Sequence, residues 1–236
     1  MANQTKLLIL VILIITLSLF VAFYLSRDSK LPINNTEVSE NIPDNNNSET
    51  IKIVAFGDSL TAGYGLNLKD SYPSQLQNYL ANLGYNVEVI NMGVSGETTA
   101  GGVRRIDFAL EQKPDIIIIG LGGNDALRGL SPIDTASNID SIVNSADKQE
   151  LEIVLLGMLA PDNLGLSYTE KFNRIFKDVS EKYNTSLVPF FLQNVALVKN
   201  LNQNDGIHPN KDGYKIIIEN NIAPVLLPIL DKLKSR

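Results

Sequence analysis

The sequence predicts an α/β domain: a parallel sheet of about five strands with helices on both faces. Three observations carry that prediction. Short β-branched runs, such as Ile51–Phe56 and Leu151–Leu156, alternate with longer amphipathic stretches. Four consecutive isoleucines, Ile116 to Ile119, leave no polar face, as expected of a strand buried on both sides. The first three runs each end in a glycine-bearing turn that also holds a polar side chain: Gly57-Asp58-Ser59, Gly93-Val94-Ser95-Gly96 and Gly120 to Asp125.

The chain before this domain has a different character. Residues 7–25 are one uncharged apolar run of 19 residues. At about 1.5 Å per residue it just spans a bilayer core of about 30 Å. Phe20 to Ser26 offers no small-x-small cleavage site, and the chain has no cysteine to carry a lipid. Residues 1–25 therefore read as an uncleaved single-span anchor, with a cleaved export signal as the alternative. Lys6 precedes the run, and Arg27 and Lys30, offset by Asp28, follow it; the expected orientation puts the rest of the chain outside the cytoplasm. Residues 26–50 are dominated by Ser, Asn, Asp, Glu and Pro and read as a disordered polar linker.

Residues 51–236 are one domain's worth of chain. They carry 17 basic and 21 acidic side chains, a balance with no footprint for nucleic acid. The absence of cysteine excludes disulfides and thiolate metal sites. The first strand starts at Ile51 and stops at Gly57. Ser71 is expected to cap a helix with Pro73 in its first turn, an apolar face of Leu76, Tyr79, Leu80 and Leu83, and a stop at Gly84. Asn86–Met92 is the second strand. Thr98 or Thr99 caps a helix that turns Val103, Ile106 and Leu110 inward. After the Ile116–Ile119 strand, Ser131-Pro132 opens a helix with Ile133, Ala136, Ile139, Ile142, Val143 and Ala146 on its apolar side. Leu151–Leu156 is the fourth strand. Ser167 and Glu170 have the spacing of a capping box, before Phe172, Phe176, Val179 and Tyr183. Ser186–Pro189 is the fifth strand, and the last helical stretch, from about Asn210, is broken by Pro224 and Pro228.

Ligands of open α/β sheets sit at the carboxyl ends of the strands. Ser59 stands there, at a turn into a helix, and reads as a nucleophile. The chain has one histidine, His208, three residues after Asp205 with Gly206 between to turn the loop. Asp205 can then fix the imidazole tautomer while the other ring nitrogen faces Ser59. The backbone N–H groups of Ser59 and Gly96 and the amide of Asn124 are the available donors for an oxyanion. Asp58 and Asp125 read as structural acids that bond backbone N–H groups in their turns. There is no phosphate-binding Gly-x-x-x-x-Gly-Lys-Ser/Thr loop and no Gly-x-Ser-x-Gly elbow.

Four segments, Gly57-Asp58-Ser59-Leu60, Ser95-Gly96-Glu97-Thr98, Gly122-Gly123-Asn124-Asp125 and Asp205-Gly206-Ile207-His208-Pro209, resemble in order and spacing the sequence blocks of the GDSL, or SGNH, hydrolases. Leu121–Gly129 and Val188-Pro189-Phe190-Phe191 look like the bacterial branch of multifunctional thioesterase/lysophospholipases and arylesterases. The resemblance implies a flavodoxin-like three-layer α/β/α sandwich. It implies a cofactor-free serine esterase working through an acyl-enzyme on Ser59, with His208 as base, Asp205 as its orienter, and Ser59, Gly96 and Asn124 as oxyanion hole. It also implies an acyl groove bounded by Ala126–Pro132 and Met158–Tyr168, with Leu127, Leu130, Met158, Leu159 and Leu164 as candidate lining. Expected substrates are lysophospholipids, aryl esters or other short-to-medium acyl esters. An O-acetylesterase of cell-envelope carbohydrate is the alternative, and a non-catalytic lipid- or glycan-binding module a further one.

Overall fold

The structure, a computed structural model, describes residues 50–235. The expected anchor, residues 1–25, and all but the last residue of the expected linker, 26–50, lie outside the described residues. Among the described residues no helix is long and apolar enough to cross a membrane.

Five strands, β1 (Ile51–Gly57), β2 (Val87–Gly93), β3 (Ile116–Gly120), β4 (Glu152–Leu156) and β5 (Ser186–Val188), form one sheet in the order β2-β1-β3-β4-β5. All four pairings are parallel. Register brings Gly57 level with Gly93 and with Gly120, so the turns after β1, β2 and β3 open side by side at one edge.

Alternate residues of the strands feed two cores. Ile53, Ala55, Ile116, Ile118, Val154 and Leu156 pack against helices α2 (Tyr72–Asn82), α7 (Lys211–Ile217) and α8 (Ala223–Lys234). Val54, Phe56, Ile117, Ile119, Ile153 and Leu155 pack against α3 (Thr99–Leu110), α5 (Pro132–Asp147) and α6 (Leu166–Tyr183). The two remaining helices are short. α1 (Ser59–Ala62) and α4 (Gly123–Leu127) follow β1 and β3 directly; the sequence placed a helix start at Ser59 but only a glycine-rich turn after β3.

Several expectations need correction. Leu83, Val103 and Ile133 are 51%, 37% and 75% exposed. Helical periodicity assigns a face, but the covered width of that face is set by the neighbouring element, and these three lie outside it. Ser71 occupies the N-cap of α2 without capping it; its hydroxyl donates to the Leu68 carbonyl at 2.7 Å. Ser167 and Glu170 form no capping box, because α6 begins earlier, at Leu166, after Gly165 at φ 84°. The expected break in the last helix is a π turn over Ile218–Ile222, just before Pro224, whose missing N–H ends the regular ladder. Pro228 stays inside α8.

Candidate active site

β1 delivers its chain end to the sheet edge, and α1 starts at once with Ser59 as first residue. Asp58 is the N-cap: its Oδ1 accepts the Leu60 N–H at 3.0 Å. Buried Tyr214 of α7 donates its hydroxyl to the Leu60 carbonyl at 2.9 Å, so the turn is pinned from a distant helix. Ser59 is 9% exposed, held rather than free to rotate in solvent.

The second half of the site is the loop between β5 and α7. An antiparallel bridge, Asn202 with Pro209, closes it, and the Gln203 N–H donates to the His208 carbonyl at 2.8 Å. Gly206 turns the loop at φ 73°. Asp205 Oδ1 accepts the N–H groups of Ile207 and His208 at 3.0 and 3.1 Å, which aims Oδ2 at the imidazole. His208 Nδ1 lies 2.7 Å from that Oδ2, and Nε2 lies 2.8 Å from Ser59 Oγ. A carboxylate only accepts, so Nδ1 carries the proton and the neutral ring offers Nε2 to the Ser59 hydroxyl. Desolvation works against the Asp205 charge, but the His208 and Ile207 N–H groups and the imidazole outweigh it and pull Asp205 down to about 2. The Gln203 side chain ties the two halves together by donating to the Tyr64 carbonyl at 2.7 Å. The Tyr64 ring lies 4.9 Å from the imidazole, centroid to centroid.

The candidate oxyanion donors come from two further turns. Gly96 has φ 79°, and only the end of Arg128 would come within 4 Å of a side chain placed there, so its backbone is open to close approach. Arg128 donates to the Gly96 carbonyl at 2.7 Å. Next to it, Glu97 forms an ion pair with Arg105, whose guanidinium also donates to the Gly57 carbonyl at 2.9 Å and stacks over Phe56. Asn124, in the first turn of α4, donates Nδ2 to Asp58 Oδ2 at 3.2 Å. Asp58 is 2% exposed. Burial pushes it up to about 6, against the pull of the Leu60 N–H and the Asn124 amide. Asp125, also buried, takes the Thr99 N–H at 2.9 Å and the Thr99 hydroxyl at 2.6 Å. It thus caps α3 across the site, where neither Thr98 nor Thr99 caps it by its own side chain.

A cavity of about 820 Å³ opens on this arrangement, and Ser59, Gly96, Asn124, Asp205 and His208 all line it. Leu127, Met158 and Leu159 line it as expected. Leu130 and Leu164 do not: the Leu130 carbonyl accepts the Tyr168 hydroxyl, and Leu164 sits half-buried near Gly129. Tyr64, Phe190, Leu192, Ala196, Leu197 and Ile207 also line the cavity and are absent from the sequence-derived set. Phe190 stands in a family-like segment with no lining role attached, and the run of turns after it, to Leu197, has no periodicity to mark it. Tyr64 and Ile207 had only their nearness to Ser59 and His208 as a signal.

An α/β/α sandwich with hydroxyl, imidazole and carboxylate in hydrogen-bonded series at its carboxyl edge is the architecture of a serine hydrolase. The GDSL-like Lipase/Acylhydrolase family matches residues 55–216. Esterase TesA of Pseudomonas aeruginosa is 39% identical over 184 residues, covering 78% of this chain and 90% of that protein. Thioesterase 1/protease 1/lysophospholipase L1 of Escherichia coli is 32% identical over 168 residues, covering 71% and 79%. Among solved structures, AlinE4, an SGNH-hydrolase family esterase, superposes with a TM-score of 0.65 at 43% identity, over 78% of this chain and 96% of that one. The chain belongs to the GDSL lipase/acylhydrolase family and is a serine hydrolase of carboxylic esters.

Proposed function

We propose that the enzyme hydrolyses esters and thioesters of apolar acyl groups, with lysophospholipids and aryl esters among its substrates. In this reading His208 Nε2 takes the Ser59 proton as Oγ attacks the acyl carbon. The resulting oxyanion is met by the N–H groups of Ser59 and Gly96 and by Asn124 Nδ2. The tetrahedral intermediate collapses, His208 returns the proton to the leaving alcohol or thiol, and an acyl-Ser59 ester remains. Water, activated by the same imidazole, then releases the acid. Asp205 keeps Nδ1 protonated and supports the imidazolium.

The observation that carries the substrate class is the apolar wall of the cavity into which Ser59 opens: Leu127, Met158, Leu159, Phe190, Leu192 and Leu197. Each buried CH₂ contributes about 0.8 kcal/mol, so kcat/KM should rise roughly fourfold per methylene until the groove is full. A panel of p-nitrophenyl esters from acetyl to palmitoyl, with acyl-CoA and lysophospholipid alongside, reads this directly. A maximum at acetate, with no gain on lengthening, would favour the carbohydrate O-acetylesterase instead. The relatives' activities, esterase, thioesterase and lysophospholipase, support the acyl reading. The uncharged run at residues 7–25 supports attachment of the enzyme to a membrane, where lipid-derived esters are presented to it.

A further inference from the structure

Asp58 is a buried acid with no step in the reaction above. It sits beside the nucleophile in sequence, yet its side chain turns from Ser59 to two other groups. Oδ1 takes the Leu60 N–H at 3.0 Å, and Oδ2 takes Nδ2 of Asn124 at 3.2 Å. At 2% exposure it is buried more deeply than the serine it precedes. The first contact is an ordinary cap for α1, which an amide or a hydroxyl could supply equally well. The second is different, because it connects two turns 66 residues apart in the chain.

We propose that Asp58 is a positioning residue: its carboxylate fixes the Asn124 amide with the N–H side, not the carbonyl side, toward the oxyanion. The inference rests on the reading of Asn124 as an oxyanion donor. An asparagine side chain has two ends of nearly equal size, one donating and one accepting. Nothing in its shape prevents a flip that would set a carbonyl oxygen against the developing negative charge. An ionised carboxylate accepts and cannot donate, so only the NH₂ end of Asn124 can face it. With one Nδ2 hydrogen committed to Asp58, the second is left to the cavity that both residues line.

An asparagine at position 58 tests this. Its carbonyl can still cap Leu60, but its NH₂ then confronts the NH₂ of Asn124 and favours the flipped amide. Removal of one oxyanion donor costs about 10²–10³ in kcat. Asp58→Asn should therefore lower kcat by about 10–100-fold with KM nearly unchanged. Its thermal midpoint at pH 8 should be at or above that of the parent, because a buried charge has been removed. In an Asn124→Ala background the same substitution should cost less than about twofold, since the group it acts through is gone. Full kcat in a folded Asp58→Asn enzyme, or losses that add independently of Asn124, would overturn the inference. Should Asn124→Ala itself keep full kcat, the oxyanion reading fails instead. A measurement on the unaltered enzyme guards against a variant that does not fold. The Asn124 NH₂ resonances, assigned by their loss in Asn124→Ala, should show one proton shifted downfield and slowed in exchange. Two protons at the shifts of a free side-chain amide, both exchanging freely with solvent, would exclude the contact with Asp58.

Discussion

At the scale of single residues, two aspartates near one serine are tuned in opposite directions. Asp205 is pulled down to about 2 by hydrogen bonds to its charged form, whose effect exceeds its desolvation. It contributes stability above its unfolded value of about 3.9, and that contribution is lost as pH falls through about 2. Asp58 is raised from 3.8 to about 6 by burial. Its contribution is present below the unfolded value and is lost as pH rises through about 6, leaving a cost of about 3 kcal/mol at higher pH. The nearby charges that modulate it, His208 and Asp125, act in opposite senses. A residue that makes the fold less stable at neutral pH and still holds a candidate catalytic amide is a plain case of function opposing stability. For Asp205 the expectation is kinetic. Asp205→Asn keeps the shape of the loop but can stabilise the wrong imidazole tautomer, so kcat should fall by about 10⁴. The acid limb of the parent's pH–rate profile, measured down to pH 4, should not carry the ionisation of Asp205, which is complete well below that range.

At the scale of elements, the site depends on turns that are fastened by residues from elsewhere. α3 takes its cap from Asp125 in α4, and Asn138 of α5 donates to the same Thr99 hydroxyl at 3.1 Å. Asp125→Ala leaves a buried N–H and hydroxyl with lost partners. It should lower stability by about 2–4 kcal/mol in urea unfolding, with kcat on folded enzyme reduced less than in Asp205→Asn. The strands were legible because isoleucine runs and glycine stops are local signals. So was the convergence of Ser59, Gly96, Asn124, Asp205 and His208 on one cavity, because each turn carries its candidate group within a few residues of a strand end or a proline. Among the caps, Ser131 holds, its hydroxyl accepting the Asp134 N–H at 3.3 Å, but others were not legible. Thr98, Ser71 and the Ser167–Glu170 pair have the right side chains in the right places, but Asp125, the Leu68 carbonyl and the left-handed Gly165 supersede them. Such competition is decided by residues distant in sequence, and a local pattern does not contain it.

At the scale of the whole molecule, residues 50–235 hold both cores, all five strands and every candidate site residue. A chain beginning at residue 50 should therefore unfold cooperatively and keep the parent's kcat on soluble esters. It should also differ from the full chain in location: the full chain should sediment with membranes and resist alkaline carbonate, and the shortened one should not. Recovery of a mature product that starts after residue 25 in the soluble fraction would replace the anchor with a cleaved export segment. The cavity's far wall, Phe190–Leu197, was the largest part of the site that the sequence did not disclose. It has neither helical nor strand periodicity, and it joins the cavity through the chain that follows β5.

The turns around Ser59 and the exposed apolar rim of the cavity are held very differently. Ser59, Asp58 and Asp125 are locked into hydrogen-bonded turns, whereas Leu127, Leu159 and Leu197 stand 57%, 45% and 92% exposed on the rim. Replacing a rim leucine removes little buried area, so it costs the fold little. On the proposed acyl reading, a lineage of such a protein can therefore try new acyl partners one rim residue at a time, each trial made on an intact enzyme. The deeper lining is not free in the same way, because Leu192 belongs to a core and Met158 and Phe190 pack against the cores.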